Sequence, residues 1–199
     1  LDSSKIRRAS LSEARTFIER WHYSKSCPAG MNVFFGIEHG RMADLFSQEF
    51  YAVACYGISS SPQIHKSLSR LTGKDVTVKN LLELRRLCRR EPQEEIPLTW
   101  FLSQCHRRLK RKGIKFIVSF SDPDFGHNGG IYRASNFAHL GKTKSEVHFL
   151  EPDGRFIHRK TLTNQAAAIG ATVQSVVAKK NLKPAISSPK DRWFLQIGK

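Results

Sequence analysis

Residues 81–120 read LLELRRLCRREPQEEIPLTWFLSQCHRRLKRKGIKFIVSF, and the reading of this stretch decides the fold. Its first segment fits two periods: Leu82, Leu84 and Cys88 suit one side of a strand, whereas Leu81, Leu84 and Cys88 suit a helical stripe. Strand is the reading adopted. Pro92 and Pro97 then mark a loop, after which Leu98, Phe101, Leu102, Cys105 and Leu109 form one helical face that closes at Gly113. Ile114 to Phe120 follows as an apolar run of the buried-strand kind. Strand, long helix and strand in this order predict a right-handed crossover between parallel neighbours.

Working outward, Ser10 and Glu13 stand at the spacing of a capping box, and Ala14, Phe17, Ile18 and Trp21 repeat at helical intervals. A first helix is therefore expected from Leu11 to Trp21, ending at His22-Tyr23-Ser24. Val33–Ile37 and Phe50–Tyr56 flank a turn-prone His39-Gly40 and read as paired antiparallel strands. The polar stretch within residues 59–80 reads as an insertion holding a short basic helix. Beyond Phe120, Gly126–Gly130 is a turn, Ile131–Phe137 a short helix leading to a strand near Val147–Leu150, Ala166–Lys180 a helical stretch and Trp193–Ile197 a last strand. No low-complexity linker interrupts the chain, so one α/β domain over 1–199 is expected, with residues 151–199 as a C-terminal extension.

The chain of 199 residues carries 33 Lys and Arg against 17 Asp and Glu, a formal charge of +16, and is 40% hydrophobic. That composition supports a folded core and excludes a disordered basic tail. Such an excess of positive charge on a folded domain points to a polyanionic partner, nucleic acid before others. The longest apolar run, Phe50–Ile58, is too short to span a membrane, for which about 20 residues are needed. Leu1, with no Met before it, leaves open what precedes it. Cys27, Cys55, Cys88 and Cys105 are scattered without a Cys-x-x-Cys pair and read as reduced thiols of a cytoplasmic protein, with no metal site.

Two meandering strands, the strand at Leu82, the long helix, the strand at Ile114, a short helix and a strand form an order that resembles the GNAT acyltransferase core, in which two central strands splay around a cleft. Local motifs narrow the resemblance: Glu83-Leu84-Arg85-Arg86-Leu87, Ser121-Asp122-Pro123 with Gly126-His127, Gly130-Ile131-Tyr132-Arg133-Ala134-Ser135-Asn136-Phe137, Leu140-Gly141 and His22-Tyr23-Ser24. Together these resemble the Mom family of phage DNA-modification proteins from about Phe17 to Lys144. The resemblance implies a transferase in the bacterial host cytoplasm that adds a carbamoylmethyl-like group to the exocyclic amine of adenine in double-stranded DNA, protecting it from restriction. An N-acetyltransferase acting on a protein or small amine, and a non-catalytic DNA-binding antirestriction protein, are the alternatives.

Asp122 directly follows an apolar strand, at the end where α/β folds open their clefts, and reads either as a proton acceptor or as the cap of the next turn. Tyr132 starts a short helix and reads as a cleft hydroxyl, a stacking ring or a core residue. Arg85 and Arg86 are expected on opposite faces of their strand, with Glu83 paired to Arg85. The Glu-Leu-x-Arg-Leu pattern of the family implies Arg86 as the contact to substrate or donor phosphate, which makes Asp122, Tyr132 and Arg86 the catalytic candidates. Tyr23, Ser24, Ser121, His127, Asn136 and Arg85 are the expected substrate or donor contacts, although the glycine-flanked His127 loop also reads as a plain turn.

The stretch from Arg89 to Thr99 contains no glycine and several carboxylates, unlike a pyrophosphate-binding loop, which argues against acetyl-CoA and leaves a glycine-derived or aminoacyl donor beside it. Family resemblance also implies an iron role. Positive residues cluster at Arg85–Arg90, Arg107–Lys112, Lys142–Lys144 and Arg155–Lys160. Arg107, Arg108, Lys110 and Arg111 are expected on the outer face of the long helix as DNA phosphate contacts, with Arg155 and Lys160 as a second basic face. Part of the first cluster also suits the negative end of the helix dipole.

Overall fold

The Ser10 hydroxyl accepts from the Glu13 amide, and the Glu13 carboxylate accepts from the Ser10 amide, so the expected capping box starts the first helix. Arg7 adds to it, bonding Glu13 at 2.7 Å and Glu38 at 2.6 Å. The side-chain bond from Arg7, with help from the Ser10 amide, holds the Glu13 carboxyl down at about 2. A lowered carboxyl contributes stability at pH above its unfolded value, and that contribution is lost as pH falls toward about 2. Ser10→Ala is expected to cost about 1 kcal/mol at neutral pH. Urea unfolding of both chains at pH 7 and at pH 3 checks this, with a Glu13→Gln chain losing part of the difference between the two pH values.

The computed structural model describes residues 5–38, 50–59, 61, 63–90, 96–154 and 156–198. In chain order these form β1 (Ile6–Arg8), α1 (Leu11–Trp21), β2 (Met31–Glu38), β3 (Phe50–Gly57), α2 (Ile64–Thr72), β4 (Leu81–Arg89), α3 (Leu98–Lys110), β5 (Phe116–Ser121), α4 (Gly130–Ala134), β6 (Ala138–Lys142), β7 (Val147–Leu150), β8 (Phe156–His158), α5 (Arg159–Ala168), α6 (Val173–Lys179), β9 (Lys183–Ile186) and β10 (Asp191–Gln196). The expected turn at His39-Gly40 and most of the glycine-free loop, residues 91–95, lie outside the described residues.

Two compact units result. The first comprises residues 1–120, 129–140 and 192–199, and the second residues 121–128 and 141–191. The main sheet has the order β1-β2-β3-β4-β5-β10-β6 among the described residues. β2, β3 and β4 meander antiparallel, and β4 pairs parallel with β5 across the α3 crossover, as the sequence predicts. The ambiguous stretch at Leu81 is a strand because both its faces are covered. Leu82 and Leu84 join Phe101, Leu102, Cys105 and Leu109 of α3, while Leu81 joins Ile64 and Leu68 of α2.

Two expectations are corrected here. The strand at Val147–Leu150 does not follow β5 in the main sheet but is the centre of a three-stranded sheet, β8-β7-β9, in the second unit. The neighbour of β5 is instead β10 from the end of the chain. The Ala-rich stretch is two helices, because Gly170 takes a left-handed φ of 62° and Thr172 caps a new start by accepting from the Ser175 amide. Ala166 and Val176 of that stretch, with Leu162 and Leu182 on either side of it, pack with Ile157 as a separate small core. Among the described residues, no helix is long and apolar enough to cross a membrane.

Candidate functional site

β4 and β5 pair only from Leu81↔Phe116 to Glu83↔Val118 and diverge beyond. A bulge in β4 accompanies the divergence: Tyr56 of β3 opposes Leu84, the next residue, Cys55, opposes Arg86, and Arg85 is left as the extra residue. The splay is therefore built into the register of the central strands.

Tyr132 of α4 reaches this point. Its hydroxyl lies 2.8 Å from Ser119 Oγ, and Ser119 Oγ lies 2.8 Å from the Leu84 carbonyl. The single Ser119 proton serves one of these partners at a time, so Tyr132 either donates to Ser119 or turns its proton toward the Phe120 carbonyl, 3.5 Å away, or toward a ligand. Burial pushes the Tyr132 hydroxyl up to about 12, against the lowering effect of its bond to Ser119, so at neutral pH it is a neutral donor. The ring is held by stacking on Trp193, centroids 5.6 Å apart, and by an edge contact with Phe137 at 5.3 Å. Gly129 makes that stacking possible: it sits at φ 75°, and a Cβ there would run into the Trp193 indole. Of its expected roles the packed ring is the one observed, and its hydroxyl lies beside Ser119, just past the end of the β4–β5 pairing.

Arg86 enters from β4. Its Nε donates to the Ser26 carbonyl at 3.2 Å, Nη1 to the Arg85 carbonyl at 2.8 Å and Nη2 to Ser26 Oγ at 3.5 Å. The remaining N–H groups of the fork have no partner among the described residues. Burial pulls the guanidinium down from its usual value without discharging it, and the nearby Tyr23 hydroxyl opposes that shift. Arg85 turns to the same loop, donating to the Ala29 carbonyl at 2.6 Å. Ser24 bonds His22 Nδ1 at 2.8 Å, and the half-exposed Tyr23 ring lies 4.2 Å from that of His22, so the His22-Tyr23-Ser24 motif forms the loop's other end.

Sequence reasoning undervalued Glu83. Its expected pairing with Arg85 exists at 3.9 Å through Oε1, but Oε2 is buried with no partner among the described residues. The bulge also corrects the expected alternation. Glu83 opposes Gly57 and Arg86 opposes Cys55, so Arg86 returns to the face of Glu83 instead of lying opposite Arg85. Glu83, Arg86 and Tyr23 all act electrostatically on the Tyr132 hydroxyl. A strand-period reading cannot see this, because one inserted residue exchanges the faces of everything after it.

Asp122, Ser121 and His127 belong to the second unit. Asp122 caps the turn at Pro123–Phe125 by accepting from the Asp124 amide at 3.2 Å, and it is paired with Lys190 at 2.7 Å. The capping role foreseen for it is real. Ser121 is buried and His127 exposed, its amide bonded to the Asp122 carbonyl.

On α3, Arg107, Lys110 and Arg111 are exposed as expected, but Arg108 is not free on the outer face: it donates to the Gln104 and Ile6 carbonyls at 3.2 and 3.3 Å and ties β1 to the helix. Asn136, at φ 61°, is exposed beyond the end of α4. Lys160 is exposed on α5, and Arg155 lies outside the described residues. Burial pushes the thiols of Cys55 and Cys105 well up, which makes them packing groups and not nucleophiles. Iron finds no ligand set here: among the described residues no group of three or more His, Cys, Asp or Glu converges as metal ligands.

A family model described as the Mom protein family matches residues 3–193. The methylcarbamoylase mom of Escherichia phage Mu is 25% identical over 151 residues, covering 75% of this chain and 57% of that protein, so this chain spans little more than half the length of its relative. The ribosomal-protein-S18-alanine N-acetyltransferase from Escherichia coli superposes with a TM-score of 0.50 at 9% identity, over 98% of this chain and 94% of that one. The C-terminal condensation domain of Ebony gives 0.50 at 9% identity, over 96% and 97%. These likenesses show the fold, a GNAT-like mixed sheet flanked by helices.

Proposed function

This chain belongs to the Mom protein family, and from that premise and the geometry of its cleft we propose that it is a DNA-modifying transferase, placing a small carbamoylmethyl-like group on the exocyclic amine of adenine. The observation that carries this reading is the Tyr132 hydroxyl held where β4 and β5 diverge, with the charges of Arg86 and Glu83 acting on it and one Glu83 oxygen buried without a partner among the described residues. An amine stacked inside duplex DNA cannot enter such a cleft, so the base is flipped out. The exocyclic nitrogen then forms a bond to the donor carbon, the donor's leaving group departs with the bonding pair, and the amine surrenders one proton to a carboxylate.

Tyr132 donates to the donor oxygen that gains charge, and the free N–H groups of Arg86 hold the donor's anionic part. Asp122, next in the chain after β5, and Glu83 are the two carboxylates proposed for the proton, and Asp122→Asn and Glu83→Gln separate them. Transfer of an acyl group, the acetyl of acetyl-CoA or an aminoacyl group alike, joins through a carbonyl. A product joined through a methylene carbon therefore needs a donor whose methylene carbon carries the leaving group, and a glycine-derived species is the proposed source of that carbon. The exposed Arg107, Lys110 and Arg111 supply sequence-independent phosphate contacts.

The test is protection of a co-expressed plasmid from restriction endonucleases after complete removal of protein. Protection that survives deproteinisation, and is lost at least a hundredfold in Tyr132→Phe, supports covalent modification. Protection present only while protein is bound contradicts it and identifies a non-catalytic DNA-binding protein.

A further inference from the structure

A second recess lies within the first unit, between α3, the end of α4 and β10. Its volume is about 340 Å³, inside the range of small-molecule pockets. One stripe of α3, Ser103, His106 and Lys110 with Arg107 beside them, forms one wall, and Ser135 and Asn136 form the other. The side chains of Leu195 and Ile197 add an apolar surface.

Two of the lining residues carry a side-chain polar atom that is buried and has no partner among the described residues: Nε2 of His106 and Oγ of Ser135. His106 is only 7% exposed, although it stands on a helix whose other buried residues are all apolar or thiol. Its ring packs 6.0 Å from Tyr56 and 5.9 Å from Phe137, and burial pulls it down to about 4, so it is neutral at physiological pH. A neutral imidazole and a hydroxyl are suited to a polar but uncharged ligand edge, and Ser135 reaches one by turning about a single side-chain bond. The exposed Arg107 and Lys110 are suited to an anion. The cleft chemistry uses neither His106 nor Ser135, whereas Arg107 and Lys110 are also the DNA phosphate contacts proposed above.

We infer that this recess binds a nucleotide unit, its phosphate held by Arg107 and Lys110 and its heterocycle lying against Leu195 and Ile197 with a polar edge toward His106 and Ser135. That chemistry comes either from a free mononucleotide or from an unpaired nucleotide of DNA. The inference stands apart from the reading of the cleft at the splayed strands.

The experiment follows the His106 ring signals by NMR in the full chain, titrated with dAMP, with inorganic phosphate and with a single-stranded DNA tetramer. A saturable shift with dAMP or the tetramer is expected, at least tenfold weaker in Arg107→Gln/Lys110→Gln and weaker again for phosphate alone. These two residues are exposed, so the double variant is expected to keep the wild-type melting temperature, which is measured alongside. A Ser135→Ala chain is expected to weaken dAMP binding without altering phosphate binding. Binding of dAMP alone assigns the site to free nucleotides, and preference for the tetramer assigns it to DNA. An unmoved His106 signal with both ligands, or equal binding by wild type and the double variant, overturns the inference.

Discussion

Arg86→Lys is expected to lower DNA modification by two to three orders of magnitude while leaving the chain folded. The charge survives this substitution, but the planar fork does not. In the native chain the guanidinium bonds both the Ser26 and Arg85 carbonyls and still has N–H groups without a partner among the described residues. A lysine ammonium reaches one of these points, not all of them, and so loses either the loop or the ligand. Loss of one aligned electrostatic donor at a reacting centre typically costs about 10²–10³ in rate. If the loss appears with an unchanged melting temperature, Arg86 acts in the reaction; a matching fall in stability would instead make it a tether of the Ser24–Gly30 loop. Modified nucleosides per plasmid and thermal unfolding, measured on the same preparations, read the two effects separately.

Gly129→Ala carries the largest expected effect on stability. The residue sits at φ 75°, where an L side chain is strained, and its Cβ would collide with the Trp193 indole on which Tyr132 stacks. Strain and forced repacking together are expected to cost about 2–5 kcal/mol. Gly113→Ala is the control: it has φ 83° in open space, so only the conformational cost of about 1–2 kcal/mol applies. For a chain of this size each kcal/mol corresponds to roughly 2–4 °C. Calorimetry should therefore show a drop for Gly129→Ala clearly exceeding that for Gly113→Ala. Equal drops would mean that the indole yields without cost. Because Trp193 positions Tyr132, modification is expected to fall with Gly129→Ala even where the chain remains folded.

The elements with strong local signals are those the sequence discloses. α1 carries its own capping box and apolar stripe, and α3 displays a face of Phe101, Leu102, Cys105 and Leu109, so both are legible from spacing alone. β9 was not, because Pro184 within a four-residue strand reads as a break; it persists at the edge of a small sheet, where a missing N–H does no harm. β10 was legible as a strand but not as the neighbour of β5, since that pairing joins segments far apart in the chain. At the candidate site, Tyr132 and Arg86 came from family resemblance, and their local geometry supplies a physical reason for choosing them. Glu83 was hidden by the bulge, an extra residue that no periodicity announces. His106 was hidden because an α3 helical face with one histidine looks like any basic helix until its Nε2 is seen buried without a partner.

The central claim, covalent alteration of adenine by the cleft of this chain, is tested most directly by tandem mass spectrometry of nucleosides released from plasmid DNA after expression of the wild-type chain and of Tyr132→Phe. The expected result is a deoxyadenosine of increased mass whose fragments place the addition on the base, present with the wild type and absent with the variant. Unaltered deoxyadenosine in both, from cells that contain folded protein, would contradict the account.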